Sequence, residues 1–168
     1  LVRHGINQGT QAIDEIARRL RSMADAHDPI APLDVLIVGC GPAGIAATLR
    51  ARQLGLGHVT IDREGLGGAV RKYPHNKLTV TQPVDLPLHG RLRRKKYRKQ
   101  DLLALWEGLF HRLGIAVRRE EWLNVEALPD GTLESTTSQG KIVSRYAVLA
   151  LGRRSSPRRL GVPGEELP

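Results

Sequence analysis

Asp34-Val35-Leu36-Ile37-Val38-Gly39-Cys40-Gly41-Pro42-Ala43-Gly44 joins an unbroken apolar run to a turn with regularly spaced glycines. The run from Val35 to Val38 has the pattern of a parallel strand buried on both faces. In the turn, Gly39 suits a tight reversal, Gly41 lets backbone approach a diphosphate, and Gly44 lets the next helix pack closely on the sheet. Backbone N–H groups at the start of that helix, around Pro42 and Ala43, would face the anion. With 18 glycines in 168 residues this spacing can arise by chance, so the flanks must decide.

Residues 45–54 read as a helix with small residues toward the sheet, stopped by Gly55 and Gly57. Residues 58–62 read as a second strand. It ends in Asp62, 23 residues beyond Gly39, near where a βαβ unit places the carboxylate that accepts a ribose hydroxyl. Strand, turn, helix, strand and acid in this order make dinucleotide binding the primary reading.

The length suits one domain, and 40% hydrophobic content suffices for a core. No apolar run approaches the ~20 residues of a membrane span, and a cytoplasmic location is the expectation. Cys40 is the single cysteine, which rules out an internal disulfide or a CxxC pair within these residues, and its place in the turn suggests a small packing residue. The chain starts at Leu1 and enters a helical pattern with Ile13, Ile16, Ala17 and Leu20 on one face. Residues 1–27 are read as an N-terminal helix, 28–32 as a linker, and 33–168 as a partial domain that continues further, so the chain reads as a piece of a longer protein.

The net charge of +9 is unevenly spread. Arg91, Arg93, Arg94, Lys95, Lys96, Arg98 and Lys99 form one dense run, and Arg153, Arg154, Arg158 and Arg159 a second. Only six aromatics occur in the chain, so neither run resembles a base-stacking surface. A solvated loop or a docking face for another part of the protein is the favoured reading, and nucleic acid the disfavoured one.

Beyond Asp62 a long loop, 63–98, is expected, with Gly67 and Gly68 near its start. An amphipathic helix follows over 101–113, carrying Leu102, Trp106, Leu109 and Leu113 on one face, and then a short strand over 115–117. Strands over 122–128 and 133–138 and one starting at Lys141 form an antiparallel meander, and 146–152 reads as another buried parallel strand ending in glycine.

This order resembles the first FAD-binding segment of the thioredoxin-reductase-like pyridine nucleotide disulfide oxidoreductases, flavoproteins with two dinucleotide-binding domains. The resemblance covers about residues 33–168. It implies an α/β fold of three layers, Rossmann-like, with a parallel sheet, flanking helices and a β-meander crossover. Gly39-Cys40-Gly41-Pro42-Ala43-Gly44 is similar to the family's FAD diphosphate turn, and Asp62, with Arg63 beside it, sits where an acid holds the adenosine ribose. By the same resemblance Gly67-Gly68 lies near the flavin's phosphate and ribityl region, and the backbone at Leu123 meets the adenine. Ala150-Leu151-Gly152 takes the place of the family's Ala-Thr-Gly near the diphosphate, where Leu151 removes a hydroxyl. Residues 161–165 resemble the link to the NADPH domain. Arg3 to Gly9 and the helix after them are similar to the last helix of such a FAD domain, which leaves the end of a preceding module and an ordinary linker helix both open.

The implied function is the FAD-binding portion of an oxidoreductase in which a nicotinamide hands hydride to flavin, and the flavin passes electrons to a disulfide or another acceptor. NAD(P)H would be bound outside this chain, by the remainder of the polypeptide, and a homodimer is left open. No residue is nominated as catalytic or as a metal ligand. Three alternatives are weighed. Tyr73 and Lys77 spell the YxxxK pair of short-chain dehydrogenases, but Pro74 and Asn76 oppose the helix that pair needs. An NAD(P)-binding Rossmann domain without flavin is the second. A non-catalytic module using residues 91–99 to bind nucleic acid or a partner protein is the third.

Overall fold

The computed structural model describes residues 2–22 and 33–152. β1 (Leu33–Val38) is the middle strand of the parallel part of the sheet, with Val35, Leu36 and Ile37 fully buried. β2 (His58–Ile61) pairs with it in parallel on one edge, and β9 (Gly140–Leu149) pairs in parallel on the other. β8 (Leu133–Thr137) and β7 (Trp122–Ala127) extend the sheet antiparallel, giving the order β2-β1-β9-β8-β7.

Strand alternation divides the core into two faces. Val35 and Ile37 pack with Ala47 and Ala51 of α2 (Pro42–Gln53) and with Ile13 and Ile16 of α1 (Val2–Ser22). Leu36 and Val38 face the other way, onto Ile61, Ile142 and Trp122, so the meander covers the reverse side. α3 (Lys99–Arg112) flanks α2, and its fully buried Trp106 shares an apolar cluster with Ile45 and Leu49. Helices, parallel sheet and meander form the three layers expected of the sequence.

Three local expectations change. The third meander strand and the final parallel strand are one element, because β9 changes partners at Ser144, which is paired with Leu133 of β8 and with Leu33 of β1. The strand expected over 115–117 reduces to a single parallel bridge between Ile61 and Arg118. Its first amide is already spent, since the Ile115 N–H donates to Phe110 O and closes α3 behind Gly114, whose φ is +63°. The long loop carries order of its own. After a 3-10 turn at Gly68–Val70, β3 (Leu78–Val80) pairs with β6 (Lys96–Arg98), and β4 (Val84–Leu86) with β5 (Gly90–Leu92). Buried Val84, Leu86 and Leu92 hold this excursion on the core.

Tyr73 and Lys77 lie in turns, with the Lys77 ammonium 4.6 Å from the Tyr73 ring centroid, so the dehydrogenase pair on a helix is absent. Residues 24–32, the second basic run and the 161–165 link lie outside the described residues. Among the described residues no helix is long and apolar enough to cross a membrane.

α1 seats directly on the start of α2. A Cβ built on Gly9 would stand 2.0 Å from Ala43 O, and one on Gly5 would stand 3.3 Å from Ala43 N. Spaced by four, the two glycines share one helix face and let the backbones touch. Asp14 pairs with Arg50 at 2.7 Å one turn further along. Gly9→Ala is expected to cost about 1–3 kcal/mol through overpacking. Gly108→Ala, on the exposed face of α3 with nothing within 4 Å of the added carbon, should instead gain about 0.5–1 kcal/mol. Urea denaturation midpoints compare the two.

Candidate functional site

The sheet delivers the ends of β1, β2 and β9 to one edge, and the expected glycine turn sits there. Gly39 has φ +99°, and its N–H donates to Ile61 O at 2.8 Å. No side chain fits at this point, because a Cβ on Gly39 would lie 2.5 Å from Ala150 O, and one on Gly44 would lie 1.8 Å from Gly39 O. The tight reversal and the close helix approach read from the sequence are therefore both present in the backbone.

Gly41 is different in kind. As the N-cap of α2 it has φ −79° and ψ −170°, which any residue can adopt, and a Cβ there would meet nothing within 4 Å. The hydrogen that a side chain would replace faces open space. Pro42 occupies the first helical position, the Ile45 N–H donates to Gly41 O, and the first-turn amides of Ala43 and Gly44 have no partner within the helix. Open space beside unsatisfied N–H groups at a helix start is the environment an anion needs.

Gly67 and Gly68 close the other side. The Gly67 N–H donates to Cys40 O at 2.8 Å, and a Cβ on Gly68 would stand 2.9 Å from the Gly41 Cα. Both have positive φ, at +109° and +50°. Ala150 donates its N–H to Val38 O at 2.7 Å, and Gly152 follows with φ +65°. Leu151 between them is 44% exposed.

Asp62 has a role that sequence reasoning missed. Its side chain is 5% exposed and turned inward: Oδ2 accepts the Cys40 N–H at 2.7 Å, while Oδ1 accepts the amides of Glu64 at 2.7 Å and Gly65 at 3.0 Å. One carboxylate thus ties the glycine turn to the loop that carries Gly67. The signal available was its position at a strand end before Arg63-Glu64-Gly65, which fits a turn clamp and a ribose acceptor equally well. Arg63 is exposed and reaches Glu121 Oε1 at 3.1 Å, joining the end of β2 to the residue before β7. Leu123, 58% exposed, sits at a register break where Trp122 and Asn124 pair with the adjacent Thr137 and Thr136, so its backbone is set out of the β8 ladder.

Cys40 is fully buried among apolar side chains. Burial first, and the neighbouring Asp62 carboxylate second, push its thiol far above the ordinary value. Such a thiol is inert at neutral pH, as a packing residue should be. No group of three or more His, Cys, Asp or Glu able to hold a metal occurs among the described residues.

Two outcomes follow from this geometry. Asp62→Asn offers one acceptor oxygen where two are used and sets an amide NH2 against backbone donors, so it should cost about 1–3 kcal/mol in a denaturant titration. The raised Cys40 value means that the folded state binds this proton more tightly than the unfolded chain does. Its contribution is complete below the unfolded value near 9.0 and is lost as pH climbs above it. Stability should therefore fall above that pH with a slope approaching about 1.4 kcal/mol per pH unit, and Cys40→Ala should flatten the decline.

Residues 36–168 match the family described as pyridine nucleotide-disulphide oxidoreductase. A ferredoxin–NADP reductase from Ignicoccus hospitalis is 26% identical over 140 residues, covering 80% of this chain and 41% of that protein. The bacilliredoxin reductase Bdr of Bacillus subtilis is 26% identical over 137 residues, covering 79% and 42%. Among solved structures, a bacillithiol disulfide reductase from Staphylococcus aureus superimposes with a TM-score of 0.69 at 21% identity, covering 83% of this chain and 44% of that one. The chain thus spans less than half the length of the relatives it matches.

Proposed function

We propose, from the premise that the chain belongs to the pyridine nucleotide-disulphide oxidoreductase family, that residues 33–168 are the FAD-cradling part of an NAD(P)H-dependent flavoprotein oxidoreductase. The observation that carries this reading is the open space at Gly41, beside the first-turn amides of α2 and walled by Gly68. Bound FAD would supply a two-electron carrier able to take hydride from a nicotinamide and pass electrons onward.

The chain's own residues bind and orient. Gly41, Ala43 and Gly44 would present backbone N–H groups and the positive end of the α2 dipole to the diphosphate, with Pro42, which has no N–H, setting the first helical turn. Gly39, with Ala150 and Gly152 behind it, sets the depth of the cradle. Gly67 and Gly68, the latter packed against Gly41, would let backbone lie beside the phosphate and ribityl side. Asp62, whose oxygens already hold the glycine turn, would with Arg63 mark the adenosine ribose end, and the Leu123 backbone, outside the ladder, would meet the adenine.

In this reading the nicotinamide site belongs to the remainder of the polypeptide, and the enzyme acts in the cytoplasm. Its acceptor is a disulfide or another redox partner. The names of the relatives, a bacilliredoxin reductase and a ferredoxin–NADP reductase, support both acceptor classes.

The test is spectroscopic. The full polypeptide containing these residues, reconstituted with FAD, should show bound-flavin absorbance that NAD(P)H bleaches. Gly41→Val should fold with an unchanged denaturation midpoint, because its backbone is unstrained and its surroundings are open, yet lose FAD binding by at least about tenfold, the equivalent of 1.4 kcal/mol. Saturable NAD(P)H binding with no flavin spectrum would overturn the reading in favour of a plain nicotinamide domain.

A further inference from the structure

The chain's net charge is concentrated in one excursion. Residues 65–100 hold ten Lys and Arg against one acid, Asp85, which equals the whole +9 and leaves the rest of the chain balanced. Val84, Leu86 and Leu92 bury this excursion in the same apolar cluster as Cys40 and Ile45, seating it against the cradle. The cations face away, with Arg91, Arg93, Arg94, Lys95, Lys96 and Arg98 all exposed.

The backbone beneath them is pinned. Fully buried Thr81 donates its N–H to Lys95 O at 3.0 Å and its hydroxyl to Arg94 O at 2.7 Å, and the Gln82 N–H reaches Lys95 O at 3.3 Å. Arg91 stands 3.9 Å from Asp85. Among the described residues the other five cations form no ion pair. Clustered like charges repel and raise the energy of the isolated protein, and an anionic surface relieves that cost.

We propose that the β3–β6 excursion is a docking surface for an acidic protein, placed to bring that partner beside the cradle. Its position next to a flavin rests on the function proposed above; its charge and geometry do not. Tyr97 is the one aromatic among these cations. It is half-buried, and the Arg94 guanidinium lies 5.8 Å from its ring centroid, so bases find no stacking platform. A second copy is a poor match as well, since the remaining residues carry no net negative charge to oppose ten cations.

Fluorescence anisotropy with labelled poly-L-glutamate, using the full polypeptide, tests the surface. Binding should weaken as salt rises, and Arg93→Glu/Lys95→Glu/Lys96→Glu should weaken it about tenfold or more. The neutralising triple to Gln should follow in the same direction with a smaller effect, which separates charge from misfolding. Equal affinity of parent and variants overturns the proposal, as does tighter binding of a duplex DNA of matched charge. Flavin absorbance is read on the same samples. Lost flavin with retained polyglutamate binding would defeat the flavoprotein reading alone, and retained flavin without binding would defeat the docking surface alone.

Discussion

Three pieces of backbone meet at Gly39 with no room for a side-chain carbon between them. The end of β1, the first turn of α2 and the end of β9 come together there, with Gly44 against Gly39 O and Gly39 against Ala150 O. Close packing of main chain on main chain fixes the direction in which α2 leaves the sheet. That direction in turn fixes where its unsatisfied amides point. The open face at Gly41 exists because Gly39 and Gly44 have collapsed everything around it.

The same logic of exclusion operates a second time at α1. Gly5 and Gly9 bring one helix backbone onto the first turn of another, so the start of α2 is gripped by the sheet on one side and by a helix on the other. Asp62 supplies the polar counterpart, since its two oxygens collect amides from Cys40, Glu64 and Gly65 and hold the turn and the following loop at a set distance. A buried carboxylate that accepts several backbone N–H groups is costly to leave unsatisfied, and here the bonds from Cys40, Glu64 and Gly65 tie it to the cradle's own scaffold. Rigidity before any ligand arrives lowers the ordering cost of binding one.

Much of this was legible because it is local. The apolar run of β1, the glycine spacing, the amphipathic stripe of α3 and the turns at Asp130-Gly131 and Gln139-Gly140 all announce themselves within a few residues. What escaped was decided by partners distant in sequence. Ser144-Arg145 looks like a break between two strands, yet β9 runs straight through it, because β8 satisfies one half of the strand and β1 the other. Three-residue strands, two of them set beside proline or glycine, carry too little periodicity to read, so the excursion over 63–98 passed for loop. Glycines within α1 look like helix weakeners until Ala43 is seen against them. Asp62 pointed inward because backbone donors surrounded it, which no spacing rule reveals.

The continuity of β9 has a consequence for error. Because side chains alternate along a strand, slipping its pairing with β8 by one residue would invert every position after the slip. A slip carried on into the pairing with β1 would also move Ala150, whose N–H donates to Val38 O and whose carbonyl lies against Gly39. The long strand therefore couples the register of the meander to the geometry of the glycine turn, so that each favours the correct pairing of the other.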